Sequence, residues 1–374
     1  MPPLKTAGLI LAAGFSRRMG RFKPLLELGG ASPLARAVNL MRAAGADPVL
    51  VVSGHQAEAL RPPLAGLGAA EVHNPAYAQD MYTSVRAGAA ALPGGIDAFF
   101  LLPVDIPLVR PSSLLALAEA FAQKRPAAAY PDFLGVAGHP PLIAAGLIPE
   151  ILAWEGRGGL RGLLAGHADR AVWVPVCDQG VLLDMDTPEA YAALRARLAA
   201  GGHPGPDEVE ALLGPVLGVA ASVRAHCRAV AEAALALGRA LVAAGNPLDL
   251  ACLEAAALVH DLAKGRPSHA AAGAGILRHW GWPAAAALVA AHADLAPPAG
   301  GPVGAEEVLY LADKLVEGAA PVDLDQRFRA KLARHGQEPG AAAAIERRWR
   351  AARAVAARVE LACGRPLAAL LGRA

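Results

Sequence analysis

An uncharged apolar run near the N-terminus, residues 7–12, leads directly into a loop of small and basic residues. A short run without polar alternation predicts a strand buried on both faces of a parallel sheet. Ala13 and Gly14 carry almost no side chain, so the backbone can approach a ligand closely, and N–H groups that follow a strand bind anions. Three basic side chains come next: Arg17, Arg18 and Lys23. The loop therefore predicts a polyphosphate ligand.

Strand-like and helix-like runs alternate over the following hundred residues. Residues 49–53 and 98–102 have the composition of strands, and helical patterns lie at 33–44 and 84–92. This alternation predicts a parallel sheet with helices on both faces, in which ligands bind at the carboxyl ends of the strands. We therefore expect a three-layer, Rossmann-like α/β domain with a mostly parallel sheet and the polyphosphate loop at its ligand-binding edge.

A carboxylate follows the third strand-like run, at Asp105. Magnesium that accompanies a nucleotide is held by one or two carboxylates together with phosphate oxygens. Asp105 would lie at the same edge of the sheet as the loop, which predicts a Mg²⁺ ligand. An Asp at the end of a strand is also a common turn former, and this alternative stays open.

The chain of 374 residues is long enough for two domains. A glycine- and proline-rich stretch marks the boundary, and we predict a first domain at 1–200, a linker at 201–214 and a second domain at 215–374. The net charge of +2 argues against a nucleic-acid partner. Neither a membrane span nor a signal-peptide pattern is present in the sequence, which predicts a cytoplasmic protein without a membrane partner.

The second domain is rich in alanine and has helical patterns over 222–244, 250–264 and 341–363. Since no strand pattern competes, we expect an all-α domain. His260 and Asp261 follow an apolar run, and polar groups in such a setting need partners. Adjacent helical positions diverge by about 100°, so a ligand shared by this pair would lie along the edge of the helix.

The opening string resembles the signature of the MobA-like nucleotidyltransferases, which reads L-A-[AG]-G, a small residue, R-M-G and then K. Ala13 stands where the cytidylyltransferases of this family have Ala and the guanylyltransferases Gly. The resemblance covers about residues 5–198, although Asp80 and Val104 stand where the family has Gly. It implies a nucleotidyltransferase domain that uses Mg²⁺.

The resemblance also implies roles for individual residues. It implies Arg18, Lys23 and Asp105 as catalytic residues, Asp105 and Asp186 as Mg²⁺ ligands, and His139 as an acceptor contact. The nucleotide-binding residues would be Leu11, Ala12, Ala13, Gly14, Lys23, Ser53, Gly54, Asn74, Ser84 and Arg86. Two alternatives stay open: Ser84 as a helix cap, and His139 as part of a proline-rich turn.

The second domain resembles the HD-domain phosphohydrolases. Its polar residues follow their H…HD…D order, with an H-D-x-x-K variant ending at Lys264, and two more imidazoles occur where relatives with two metals place extra ligands. The matching residues are His226, His260, Asp261 and Asp313, with His269 and His292 as the additional pair. Such a set implies a divalent metal such as Mn, Fe, Zn or Mg, and Lys264 as a catalytic phosphate contact or a helix cap.

Taken together, the resemblances imply a bifunctional enzyme. The first domain would move CMP from CTP to a molybdopterin-type cofactor with release of pyrophosphate, and the second would be a metal-dependent phosphohydrolase. A molybdoenzyme apoprotein is a candidate partner. Three alternatives remain: use of GTP or another small acceptor such as a sugar phosphate; a cofactor carrier or chaperone; and a second domain that senses nucleotides without hydrolysis.

Overall fold

The computed structural model describes residues 4–155, 157–298 and 300–372. The chain divides into two compact units, Met1–Ala200 and Gly201–Ala374. The predicted linker, 201–214, is partly helical, since Pro206–Ala211 forms an α-helix and Leu212–Val216 a π-helical turn. The helix forms because Pro206 occupies its first turn and the Glu208 carboxylate accepts a hydrogen bond from the Gly205 N–H at 2.9 Å.

Unit 1 is built on one eight-stranded sheet. Its strands are β1 (Thr6–Leu11), β2 (Val49–Ser53), β3 (Ala70–His73), β4 (Ala98–Pro103), β5 (Ala128–Phe133), β6 (Val136–Ala137), β7 (Leu142–Ala144) and β8 (Ala171–Pro175). The order is β3-β2-β1-β4-β7-β5-β6, with β8 beside β5. Strands β1 to β4 pair in parallel, whereas β7 is antiparallel to both of its neighbours. The prediction of a mostly parallel sheet is confirmed.

Seven helices accompany this sheet among the described residues. They are α1 (Pro33–Ala43), α2 (Ala57–Leu67), α3 (Met81–Ala91), α4 (Pro111–Lys124), α5 (Ile148–Ala153), α6 (Gly159–Ala165) and α7 (Pro188–Ala199). The start of α3 differs from the predicted one at Ser84. Asp80 is the N-cap, because its carboxylate accepts a hydrogen bond from the Thr83 N–H at 2.8 Å. The residue that departs from the family's Gly thus begins the helix.

Helix α3 packs closely on the first two strands. A Cβ added at Gly88 would lie 2.5 Å from Leu9 Cδ1 and 2.9 Å from Val52 Cγ2. We expect Gly88→Ala to lower the free energy of unfolding by about 1–3 kcal/mol, because neither buried neighbour can move freely. Gly66→Ala in α2 is the matched control, since its Cβ would meet open space. Urea denaturation of both variants checks this, and equal stabilities would contradict it.

Unit 2 is predominantly helical, as predicted. Its α-helices are α8 (Pro206–Ala211), α9 (Ala221–Ala243), α10 (Leu250–Val259), α11 (His269–His279), α12 (Pro283–Ala291), α13 (Ala305–Lys314), α14 (Leu324–His335), α15 (Pro339–Cys363) and α16 (Leu367–Leu370). The all-α prediction missed one small hairpin, Val316–Glu317 with Ala320–Pro321. The largest fully buried side chains of unit 2 include Trp282, Tyr310 and Phe328. Among the described residues, no helix has the length and apolar character needed to cross a membrane.

Two candidate active sites

The loop after β1 lines a cavity of about 400 Å³ at the carboxyl edge of the sheet. Within the described chain, the backbone N–H groups of residues 14–17 donate to no protein acceptor. Ser16 has a left-handed backbone conformation (φ 54°), and its hydroxyl accepts a hydrogen bond from the Lys23 N–H at 3.2 Å. A strained loop with unused donors facing a cavity is suited to binding an anion.

Two carboxylates from distant parts of the chain meet at one ammonium group. Lys23 Nζ lies 3.0 Å from Asp105 Oδ2 and also donates to Asp186, which accepts a further hydrogen bond from Arg18. Asp105 follows β4, and Asp186 precedes α7, whose N-cap is Thr187. The Met185 N–H donates to the Asp105 carbonyl at 3.0 Å, which ties the two segments together. The structure therefore brings both predicted Mg²⁺ ligands to one point.

The charges of this cluster stabilise one another. Burial opposes ionisation of Asp186, but the hydrogen bond and charge of Lys23 outweigh it, so the pKa of this carboxyl is lowered. Burial likewise opposes the charge of Lys23, yet Asp186 and Asp105 raise its pKa. A carboxylate pair that already holds a cationic group fits a divalent cation, and Asp105 and Asp186 are the residues that would hold it.

A second cavity of about 630 Å³ adjoins the first and shares Leu11, Met81 and Pro103 with it. Its walls are mostly apolar, and His139, the predicted acceptor contact, is one of its few polar lining residues. Tyr130 also lines this cavity, and its ring stacks on that of Trp173 with centroids 5.8 Å apart. This cavity has the size and character of a site for a second organic substrate.

Several predicted nucleotide-binding residues serve other purposes in the fold. The Ser53 hydroxyl donates to Glu71 at 2.5 Å, and Asn74 Nδ2 donates to the Ser84 hydroxyl at 2.9 Å. Ser84 lines the first cavity, whereas the exposed Arg86 does not. Gly54 also lies outside the lining, since it packs on Tyr77 and Ala13, and a Cβ there would be 2.9 Å from the Ala13 Cβ.

Two aromatic residues that line the first cavity, Phe15 and Tyr77, were not predicted from the sequence. The Phe15 and Tyr77 rings lie 5.3 Å apart, and the Arg17 guanidinium lies 4.5 Å above Phe15. Val104, the other departure from the family's Gly, is buried, and its N–H donates to the Leu11 carbonyl at 3.0 Å. For the two aromatic residues, the only signal in the sequence was the position of Phe15 inside the polyphosphate loop.

All six predicted metal-ligating residues of unit 2 converge on one cluster. Asp261 Oδ1 lies 3.4 Å from His269 Nε2 and 3.7 Å from His292 Nε2. Its other oxygen lies 3.7 Å from His226 Nε2 and 3.8 Å from His260 Nε2. Asp313 Oδ1 completes the set at 3.3 Å from His226 Nε2. Five of these residues form two groups of metal-site dimensions that share Asp261: His226, His260 and Asp261, and Asp261, His269 and His292.

Backbone hydrogen bonds orient three of the imidazoles. The Nδ1 atoms of His226, His260 and His292 lie 2.6–2.8 Å from backbone carbonyls, to which they donate. This fixes the tautomer and leaves each Nε2 with a lone pair facing the cluster. Within the described residues, His260 Nε2 is buried without a hydrogen-bond partner. An orphaned acceptor facing two carboxylates fits a bound metal ion.

The protonation states also suit a metal centre. Burial lowers the pKa of His260 to about 4, although Asp313 raises it. Burial opposes the charge of Asp313 as well, but the neighbouring Lys314 ammonium holds the pKa of this carboxyl well below its usual range. Neutral imidazoles and ionised carboxylates are the forms that bind divalent metals. The donors do not select among Mn, Fe, Zn and Mg.

The segment that carries His260 and Asp261 is not a continuous helix. The predicted helix at 250–264 ends at Val259, where His260 is the C-cap, and the chain then turns through Gly265. The turn allows both side chains to face the cluster, so they need not share a helix edge. Lys264 Nζ donates to Asp261 Oδ2 at 2.7 Å from this same turn.

Comparisons with known proteins agree with the division of the chain into two units. Residues 8–172 match the family model of the MobA-like NTP transferase domain. Residues 223–322 match that of the HD domain. Each match lies within one of the two units.

Relatives are similar to the first unit only in part. Molybdenum cofactor cytidylyltransferase of Escherichia coli is 25% identical over 193 residues, which are 50% of this chain and 95% of that protein. The bifunctional protein GlmU of Geobacter metallireducens is 35% identical over 118 residues, 30% of this chain and 24% of that protein. The chain thus spans about a quarter of the GlmU relatives that it matches. Among solved structures, Rv0371c from Mycobacterium tuberculosis H37Rv is 25% identical with a TM-score of 0.46, covering 52% of this chain and 99% of that one.

Proposed function

Because the chain carries a MobA-like NTP transferase domain in residues 8–172 and an HD domain in 223–322, we propose that it is a bifunctional enzyme. Unit 1 transfers a nucleotidyl group from an NTP to a small acceptor and releases pyrophosphate. Unit 2 hydrolyses a phosphate ester or anhydride at a divalent metal centre. The convergence of Asp105, Asp186 and Lys23 beside the unused loop amides carries the first assignment.

The residues of unit 1 divide the work of transfer. The loop amides and Arg18 bind phosphate oxygens, and Lys23 neutralises charge on the triphosphate. Asp105 and Asp186 hold Mg²⁺, which offsets phosphate charge when it is bound. Ser84, at the cavity wall, contacts the nucleotide, and its hydroxyl also accepts the hydrogen bond from Asn74. The wall that the two cavities share supports a position for the acceptor next to the α-phosphate.

CTP and a molybdopterin-type acceptor are the specific substrates that we propose. The similarity to molybdenum cofactor cytidylyltransferase, which spans 95% of that protein, and Ala13 in the loop support this choice. The adjoining apolar cavity has room for a fused-ring acceptor. The protein is incubated with each labelled NTP, Mg²⁺ and either molybdopterin cofactor or a sugar phosphate. Pyrophosphate release with CTP and cofactor supports the proposal, and release only with GTP or a sugar phosphate contradicts it.

Tyr130 provides a test of the acceptor cavity. We expect Tyr130→Ala to raise the KM for the acceptor by up to about tenfold, because stacking of an aromatic ring contributes about 0.5–1.5 kcal/mol. The KM for the NTP stays unchanged, since Tyr130 does not line the first cavity. Leu134→Ala, at an exposed residue outside both cavities, is the control. Steady-state kinetics with each substrate varied would contradict the assignment if both KM values rose equally.

Unit 2 has the donor set of a phosphohydrolase. A divalent ion held by its imidazoles and carboxylates supplies Lewis acidity toward phosphate and lowers the pKa of water. Lys264, beside Asp261 and half exposed at the cavity, binds a substrate phosphate oxygen. Metal analysis of the full chain and a panel of phosphate esters test this activity. Bound metal without hydrolysis would favour a nucleotide sensor.

A further inference from the structure

The cavity of unit 2 extends well beyond its metal-ligating residues. Its volume is about 540 Å³, and part of its wall comes from α14, which lies beyond residues 223–322. Arg327 and Lys331, one turn apart on α14, both line it. These two cations lie outside the residues that match the HD-domain family model, and the function proposed above gives them no role.

The two cations are held differently. Arg327 Nη1 donates to the backbone carbonyls of Asp313 and Val316, which fixes the guanidinium beside the metal-ligating residues. Its Nε has no hydrogen-bond partner in the described part of the chain. Lys331 makes neither an ion pair nor a hydrogen bond within that part, and its ammonium lies 5.9 Å from the Phe328 ring centroid. Lys331 is therefore available to a ligand.

The charge balance of the cavity favours a polyanion. Arg348, also in the lining, is neutralised by Asp294 at 2.8 Å. Four further cations line the cavity with only three carboxylates, and a divalent ion adds two more positive charges. The cations are Lys264, Lys314, Arg327 and Lys331, and the carboxylates are Asp261, Asp313 and Glu317. Burial, together with the charges of Arg327 and Lys314, lowers the pKa of Lys331 against the opposing charges of Asp313 and Glu317.

We propose that Arg327 and Lys331 form a second anion subsite, so that the ligand of the unit 2 cavity carries two linked phosphate groups. One phosphate lies at the metal-ligating residues, and the other at α14. This inference rests on the proposed hydrolase function and specifies its substrate class. The ligand is inorganic pyrophosphate or an organic diphosphate, and the apolar lining residues Val223, Phe328 and Ile345 leave room for an organic group.

Calorimetric titration of the full chain, loaded with Mn²⁺, tests this subsite. The probes are inorganic pyrophosphate, orthophosphate and CDP, and the proteins are the parent, Lys331→Met, Lys331→Arg and Arg334→Met. Arg334, exposed on the same helix outside the cavity, provides the matched control. Unit 1 is identical in all four proteins, so its contribution cancels in the comparison.

We expect Lys331→Met to weaken binding of pyrophosphate or CDP about tenfold and that of orthophosphate less than about twofold. Lys331→Arg restores binding, and Arg334→Met leaves it unchanged. Tighter Lys331-dependent binding of CDP than of pyrophosphate identifies an organic diphosphate, and the reverse identifies the inorganic ion. Equal weakening for all probes, or none in a variant with unchanged circular dichroism, overturns the proposal. The proposed hydrolase function is tested separately, by measuring the hydrolysis of a phosphate ester by the Asp261→Asn variant.

Discussion

Asp105→Asn should abolish nucleotidyl transfer, with a fall in kcat of at least about 10³-fold. The substitution keeps the shape of the side chain but removes the charge that faces Lys23 Nζ at 3.0 Å. Two effects contribute to the loss. The site loses one of the two carboxylates proposed to hold Mg²⁺, and Lys23 is left with Asp186 alone. Single-turnover assays with CTP, Mg²⁺ and molybdopterin cofactor measure the loss.

Asp80→Asn is the matched control for this experiment. Asp80 also lines the cavity, but its carboxylate caps α3, and Asn is an equally good N-cap. Its kcat should therefore remain within about threefold of that of the parent. Transfer that survives Asp105→Asn would contradict the catalytic role. If turnover is lost but a molybdoenzyme target is still activated, the protein acts as a carrier.

Strong local signals were sufficient to predict the centre of the first unit. Strand β2 has the predicted bounds, residues 49–53, because an uncharged β-branched run has few other folded conformations. Helix α1 begins at Pro33, as predicted, after the Ser32 cap. Strands β1 and β4, predicted at 7–12 and 98–102, carry the loop and Asp105, so the edge of the sheet at which the site lies followed from the sequence.

Other elements contradict their local signals. Helix α2 contains Pro62 and Pro63, which argue against a helix, yet it forms on an exposed face where the missing N–H groups cost little. Strand β7 has only three residues and is defined by its antiparallel pairing with β4 and β5. Pairings of this kind depend on tertiary contacts that a local pattern does not contain.

The sites show the same limit. Asp105 and Asp186 are far apart in sequence, so their convergence on Lys23 was expected only from a family resemblance. Ser53 and Asn74 match the family's order of motifs, but their hydrogen bonds are made within the fold. The end of α10 at Val259 was missed, because the apolar pattern that precedes His260 does not reveal where the backbone turns.

Asp261→Asn should remove metal from unit 2 and lower its phosphohydrolase activity by at least about 10³-fold, while leaving nucleotidyl transfer unchanged. Asp261 is the one residue shared by both ligand groups, so its loss affects every candidate metal position. It also pairs with Lys264 at 2.7 Å, which would then lose its anchor. Metal content by elemental analysis and hydrolysis of a phosphate ester measure the two effects independently.

Asp323→Asn is the control variant, because Asp323 caps α14 outside the cavity and Asn preserves the cap. The metal content and the phosphohydrolase activity of this variant should match those of the parent. If Asp261→Asn retains metal and activity, the imidazole cluster is a structural feature and the hydrolase assignment is wrong. If metal is lost but the parent hydrolyses no ester, the cluster is a metal site without hydrolase activity, because its imidazoles and carboxylates are sufficient to bind a metal ion.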